Sequence, residues 1–154
     1  VRRWQGGLEG GGKRFAVVVA RFNSDITARL ASGAVDALLA HGVAAGDIEM
    51  IHVPGAWELP AACARVIERG DVDGVVALGC VIRGETAHFE YVAGESARGL
   101  ATVQRESNVP VAFGVLTTEN VEQALARSEK GPENKGSEAA LAALEMANLF
   151  DDLS

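Results

Sequence analysis

Four short apolar runs punctuate the chain: Phe15 to Ala20, Ile48 to Val53, Gly74 to Cys80 and Val111 to Leu116. They lack the apolar–polar alternation of a half-exposed strand, so each reads as a strand covered on both faces. The longer stretches between them carry helical spacing. Ser24 opens a helix to about His41, and Gly42 stops it just past its end. Leu59, Ala62, Cys63, Val66 and Ile67 recur in steps of three, one, three and one, which places all five on one face of a second helix closed by Gly70. A third helix runs from about His88 to Ser107. Thr118-Glu119 opens a short fourth to about Ser128, the polar loop Glu129 to Asn134 follows, and a last helix ends near Phe150.

Strand then helix, four times over with one helix added, predicts an α/β fold. The expected architecture is one domain over residues 1–154: a four-stranded parallel sheet flanked by helices on both faces, a flavodoxin-like three-layer sandwich. Residues 1–12 (VRRWQGGLEGGG) are Gly-rich and too short to fold alone. They form an N-terminal arm expected to supply a short edge strand, lent to a neighbouring copy, and the Val1 start is expected to be processed or trimmed.

A length of 154 residues with 48% hydrophobic and 5% aromatic residues suits a single full core. The net charge of −7 argues against a nucleic-acid or anionic-membrane partner, so an anionic ligand needs a local basic site. No apolar run approaches membrane-spanning length. Cys63 and Cys80 have no metal-ligand spacing and read as small buried residues, as expected for a cytoplasmic protein without a metal. The Gly10-Gly11-Gly12 run matches no dinucleotide or P-loop fingerprint.

In such a sheet ligands bind beyond the carboxyl ends of the strands. The stretch Leu78 to His88 (LGCVIRGETAH) takes a buried strand into a helix through Gly84, with Thr86 as the expected cap. Such a turn leaves backbone N–H groups pointing at one spot, which suits a phosphate. His88 stands beside it, so this turn reads either as acid/base chemistry on a phosphorylated small molecule or as an ordinary turn with an exposed imidazole. Phe22 either stacks on a flat heterocycle or anchors its loop. Glu58, after Pro54-Gly55 and Trp57, stabilises a helix start whatever else it does. Phe113, inside the fourth strand, reads by default as core. Arg127, Lys130 and Lys135 are the nearby cations, and the first two suit a helix C-terminus without further role.

Arg21-Phe22-Asn23, Val53 to Pro60, Gly79 to Thr86 with His88-Phe89, Phe113 to Glu119, and Asn134-Lys135-Gly136 with Glu145 to Asn148 together resemble lumazine synthases, in the same order and over nearly the whole chain from about residue 14. The resemblance implies synthesis of 6,7-dimethyl-8-ribityllumazine, in riboflavin biosynthesis. The implied substrates are 5-amino-6-(D-ribitylamino)uracil and 3,4-dihydroxy-2-butanone 4-phosphate, with release of phosphate and water and no cofactor or metal. It implies that Phe22 stacks on the pyrimidine, that Ala56, Trp57 and Glu58 line the ribityl and ring site, and that Cys80, Val81 and Ile82 hold the ring edge. Glu85 and Thr86 bind phosphate, His88 moves protons, and Lys135 contacts the pyrimidine side. Phe113 and Arg127 arrive from a neighbouring copy. The implied assembly is a homo-oligomer, a pentamer or a sixty-subunit shell, with riboflavin synthase as a further partner. Glu129, Lys130 and Glu133 depart from the family's pattern, as does Glu85 where a small residue is common. A non-catalytic flavin- or lumazine-binding protein, or a shell protein, is the alternative.

Overall fold

The computed structural model describes residues 1–154. Its sheet has the order β2-β1-β3-β4, built from β1 (Phe15–Ala20), β2 (Ile48–Val53), β3 (Gly74–Ile82) and β4 (Val111–Thr118). All pairings are parallel, with Phe15 opposite both Ile48 and Gly74, and Val75 opposite Val111. The most apolar runs take the two inner positions, where neither face nor edge meets water. Every residue of β1 is buried. In β2, at one edge, only Val53 is fully buried.

Alternate residues of the inner strands feed two separate cores, as the period of two requires. Phe15, Val17 and Val19 join Val76, Leu78 and Cys80 on one face, against α1 (Ser24–Ala40) and α5 (Lys135–Leu153). Val18, Ala20, Val75 and Ala77 face the other way, against α2 (Leu59–Glu68) and α3 (His88–Ser107). The short α4 (Val121–Ser128) packs on α1 and β4. The face foreseen for α2 is the one it buries: Leu59, Cys63 and Val66 are inaccessible, with Ala62 and Ile67 packed beside them. Leu→Ala at a fully buried position such as Leu30, Leu59 or Leu144 costs about 2–5 kcal/mol.

Gly42 closes α1 with φ +95°, while Val43 N–H donates to Leu38 O at 3.0 Å and Gly42 N–H to Leu39 O at 3.1 Å. That pair of hydrogen bonds satisfies carbonyls left free at the helix end and needs the left-handed backbone glycine adopts without strain. Gly136 lies where a Cβ would strike the Leu30 carbonyl, so α1 and α5 touch backbone to backbone.

Three expectations need correction. β3 and β4 each run on to Ile82 and Thr118, because parallel pairing continues to Ile82 opposite Thr118. The short fourth helix starts at Val121, capped by Asn120, whose side chain accepts from Gln123 N–H at 2.9 Å. Within this single chain residues 1–10 add no strand to the sheet. The arm lies instead on α5, where Asn148 Nδ2 donates to Gly7 O at 2.9 Å and Glu9 O at 3.0 Å, and Lys13 pairs with Asp151.

Candidate active site

Three strand ends converge on one cleft of about 770 Å³. At the exit of β1, Arg21 N–H donates to Val53 O at 2.8 Å and Phe22 N–H to Pro54 O at 3.0 Å. Asn23 then turns with φ +62°, a left-handed conformation asparagine tolerates better than most residues. Its Nδ2 donates to Cys80 O at 2.8 Å, tying the end of β1 to β3. Held this way, Phe22 extends into solvent with 72% of its surface exposed. The ring is therefore not packed on the core as a loop anchor would be, and its face is free to meet a flat ligand.

At the exit of β2, Ala56 to Glu58 form a single 3-10 turn before α2. Glu58 N–H donates to Gly55 O at 3.2 Å, and its Oε1 accepts from Gly55 N–H at 2.9 Å. One carboxylate oxygen thus closes the turn. Trp57 projects outward, 57% exposed, while Ala56 is buried beneath the cleft floor. Gly79 lies under the same floor, where a Cβ would already touch Leu59, Ala20 and Ala56.

At the exit of β3 the chain crosses from Val81 and Ile82 through Gly84, Glu85, Thr86 and Ala87 to His88, the first residue of α3. The N–H groups of residues 84 to 87 donate to no acceptor in the chain. Thr86 is not the cap expected of it: Ala87 holds that position in a helical conformation, and Thr86 Oγ1 receives only a long 3.4 Å bond from His88 N–H. The turn therefore opens α3 with its donors unspent and the helix dipole behind them, the arrangement that holds an anion. Glu85 is exposed and forms no ion pair, so its contribution to such a site is its backbone N–H. His88 is exposed on the cleft wall beside Tyr91 and Phe89.

Phe113, Arg127 and Lys135 lie elsewhere. They line a groove of about 360 Å³ along the free edge of β4, together with Glu138 and the small side chains of Ala139 and Ala142. Phe113 corrects the core reading: it is 49% exposed, because its strand is the last of the sheet and nothing covers that position. Arg127 Nη1 donates to Gln123 O at 3.0 Å, one turn back on α4. Lys135 opens α5 and pairs with Glu138 Oε2 at 3.0 Å. Lys135 is aimed by Asn134, whose buried Oδ1 accepts from Gly136 and Ser137 N–H at 2.8 and 3.0 Å while Nδ2 donates to Ser128 O at 2.9 Å.

Lys130 joins neither region. It faces a depression of about 840 Å³ between α1 and the α4–α5 loop, where Arg29, Asp36 and Glu129 mix both signs of charge and no aromatic ring is present. The two cysteines are free and buried. Burial pushes the Cys63 thiol up to about 12 and the Cys80 thiol up to about 11, so both are inert neutral thiols near pH 7.

The cleft also uses Pro54 and Phe89, which lay in the resembling motifs without a role of their own, and Tyr91 and Val92, which did not stand out in the sequence. Tyr91 and Val92 were reachable from spacing: three and four residues beyond His88, they share its helix face. Asn23 was visible as a strand-end residue, but its bond to Cys80 O joins residues 57 positions apart. The sequence model of 6,7-dimethyl-8-ribityllumazine synthase matches residues 12–151 of the chain.

Proposed function

The chain belongs to the 6,7-dimethyl-8-ribityllumazine synthase family, and we propose that it condenses 5-amino-6-(D-ribitylamino)uracil with 3,4-dihydroxy-2-butanone 4-phosphate in riboflavin biosynthesis. The match over nearly the whole chain carries this reading. The cleft supports it, offering flat aromatic surfaces, backbone donors for a phosphate and an imidazole within one concave space.

In the proposed complex Phe22 stacks on the pyrimidine, and the polar edge of the ring meets backbone groups at Cys80, Val81 and Ile82. Ala56, Trp57 and Glu58 border the ribityl chain, with the second oxygen of Glu58 accepting its hydroxyls. The phosphate lies on the N–H groups at Glu85 and Thr86. The cleft itself holds no lysine or arginine. The cation that a phosphate dianion calls for is Arg127 of an adjacent copy, brought in with Phe113 to cover the ring and Lys135 to contact the pyrimidine side. A surface patch on one copy meeting a different patch on the next is a head-to-tail contact, and repeated by rotation it closes a ring. We place five copies in that ring.

The chemistry proceeds by proton shifts. The 5-amino group attacks the ketone to give a carbinolamine, which loses water to an imine. Loss of a proton next to the imine expels phosphate, and the resulting enol tautomerises to a ketone. The ribitylamino nitrogen attacks that carbonyl, and a second loss of water closes the ring. His88 relays these protons. Holding two substrates in register supplies much of the acceleration, and no metal or organic cofactor enters the scheme. Mixing the two substrates with the protein tests the reading directly. Growth of lumazine fluorescence above the uncatalysed rate is expected, and a rate equal to that of buffer would leave a binding or shell protein.

A further inference from the structure

Arg83 occupies the point where β3 stops and the chain crosses to α3. Its own N–H makes the last bond of the sheet there, to Thr118 O at 2.8 Å. Its guanidinium reaches in two directions. Nη1 lies 3.1 Å from Glu90 Oε1 in the first turn of α3, and Nε lies 2.9 Å from Glu119 Oε2 just beyond β4. The same group stacks over the ring of Phe89, with Cζ 4.5 Å from the centroid, and Phe89 lines the cleft.

We propose that Arg83 is a positioning residue that clamps the first turn of α3 to the end of β4, and so holds the N–H groups of residues 84–87 and His88 in place. The proposal rests on the phosphate site proposed above. Two observations carry it. The segment 84–87 is exposed and spends none of its N–H groups on the fold; the bonds it accepts, from His88 N–H to Thr86 Oγ1 at 3.4 Å and from Glu90 N–H to Ala87 O at 3.1 Å, tie it only to the start of α3. The groups that fix its two ends are those of Arg83: the sheet bond before the segment, and the Glu90 and Phe89 contacts just after it. Arg83 is also unsuited to bind the phosphate itself. The hydrogen bond to Glu90 and then that to Glu119 hold its guanidinium above its ordinary pKa, and both carboxylates already neutralise it. Lysine in its place keeps one ion pair at most and loses the planar fork that bridges two carboxylates.

The test measures the affinity of the assembled protein for inorganic phosphate and the KM of each substrate. Arg83→Ala is expected to weaken inorganic phosphate and raise the KM of the phosphorylated ketone by about tenfold, leaving the KM of the pyrimidine amine within about twofold. Arg83→Lys should recover part of the loss. Glu119→Gln, which leaves Arg83 intact but removes one arm of the clamp, should weaken phosphate by about threefold. Unchanged phosphate affinity in folded Arg83→Ala overturns the proposal. So does tighter phosphate binding by Glu119→Gln, the result expected of an arginine that binds the anion directly. Should Arg83→Ala fail to fold, Glu119→Gln decides alone. A wild-type protein that makes no lumazine, while its Arg83 and Glu119 variants lose phosphate affinity, would sink the synthase reading and leave the clamp standing.

Discussion

The cleft at the ends of β1 to β3 and the groove along β4 are built in opposite ways. The cleft has aromatic faces, an imidazole and free backbone donors, but no cationic side chain. The groove has Arg127 and Lys135 with one aromatic ring, but no imidazole. The cleft is positioned by the backbone, through the turns at Phe22 and Gly84 that leave the two inner strands and the turn at Glu58 that leaves edge strand β2. The groove owes its existence to an absence: β4 is an edge strand, so Phe113 and Arg127 stay exposed. Each region supplies what the other lacks. A surface so divided is the one expected when a site is finished by a second copy rather than within one chain.

The sharpest way to break this comparison is to remove the groove's cation. Arg127→Ala should lower kcat/KM for the phosphorylated ketone by about 10²–10³-fold, the range for losing one charged partner of a buried anion. If steady-state kinetics show no change, the groove has no part in the site. His88→Ala should lower turnover by about 10- to 100-fold at saturating substrates, at or below the usual acid–base contribution. A full rate there would reduce His88 to a wall residue. Mixing the two variants sharpens the point. If each site joins one copy's cleft to its neighbour's groove, random co-assembly of equal amounts rebuilds about a quarter of the wild-type sites. Recovery should appear only after co-expression or co-refolding, and its absence would place both residues in one chain's site.

Stability separates the regions too. Asn134, 2% exposed with every side-chain bond made inside the protein, aims the start of α5. Asn134→Ala should cost about 2–3 kcal/mol in urea unfolding, because it strips a helix cap and leaves a buried carbonyl unpaired. It should also damage activity through Lys135, whereas a cost below about 0.5 kcal/mol would mean that water replaces the cap.

An effect confined to alkaline pH concerns the Cys63 thiol, whose folded pKa is raised from 9.0 to about 12. The unfolded chain ionises first, so stability is intact below pH 9 and falls as pH rises from there to about 12. The slope reaches about 1.4 kcal/mol per pH unit for this one thiol. Cys63→Ala should flatten the alkaline limb of the stability profile by that amount, and parallel limbs for the two proteins would show that the thiol is not buried in solution.

Much of this was legible in the chain. The strand and helix order follows from apolar periodicity, and the rule that ligands gather beyond strand ends points to Phe22, Glu58 and the Gly84–His88 turn. What was misread has common causes. Thr118 has the chemistry of a helix start, yet Thr117 and Thr118 continue β4 because Val81 and Ile82 pair beside them. Thr86 has the chemistry of a cap, yet the turn puts Ala87 at the capping position.

Sequence by itself determined which residues must be buried, where the strands end and which side chains at those ends carry chemistry, because period and turn residues encode local geometry. Tertiary structure alone decided the rest. It made β4 an edge and so exposed Phe113, set Arg127 apart from the cleft, and joined Asn23 to Cys80 and Arg83 to Glu90 and Glu119. These outcomes depend on which strand lies beside which and how far apart two elements pack, and no local pattern of residues carries that distance.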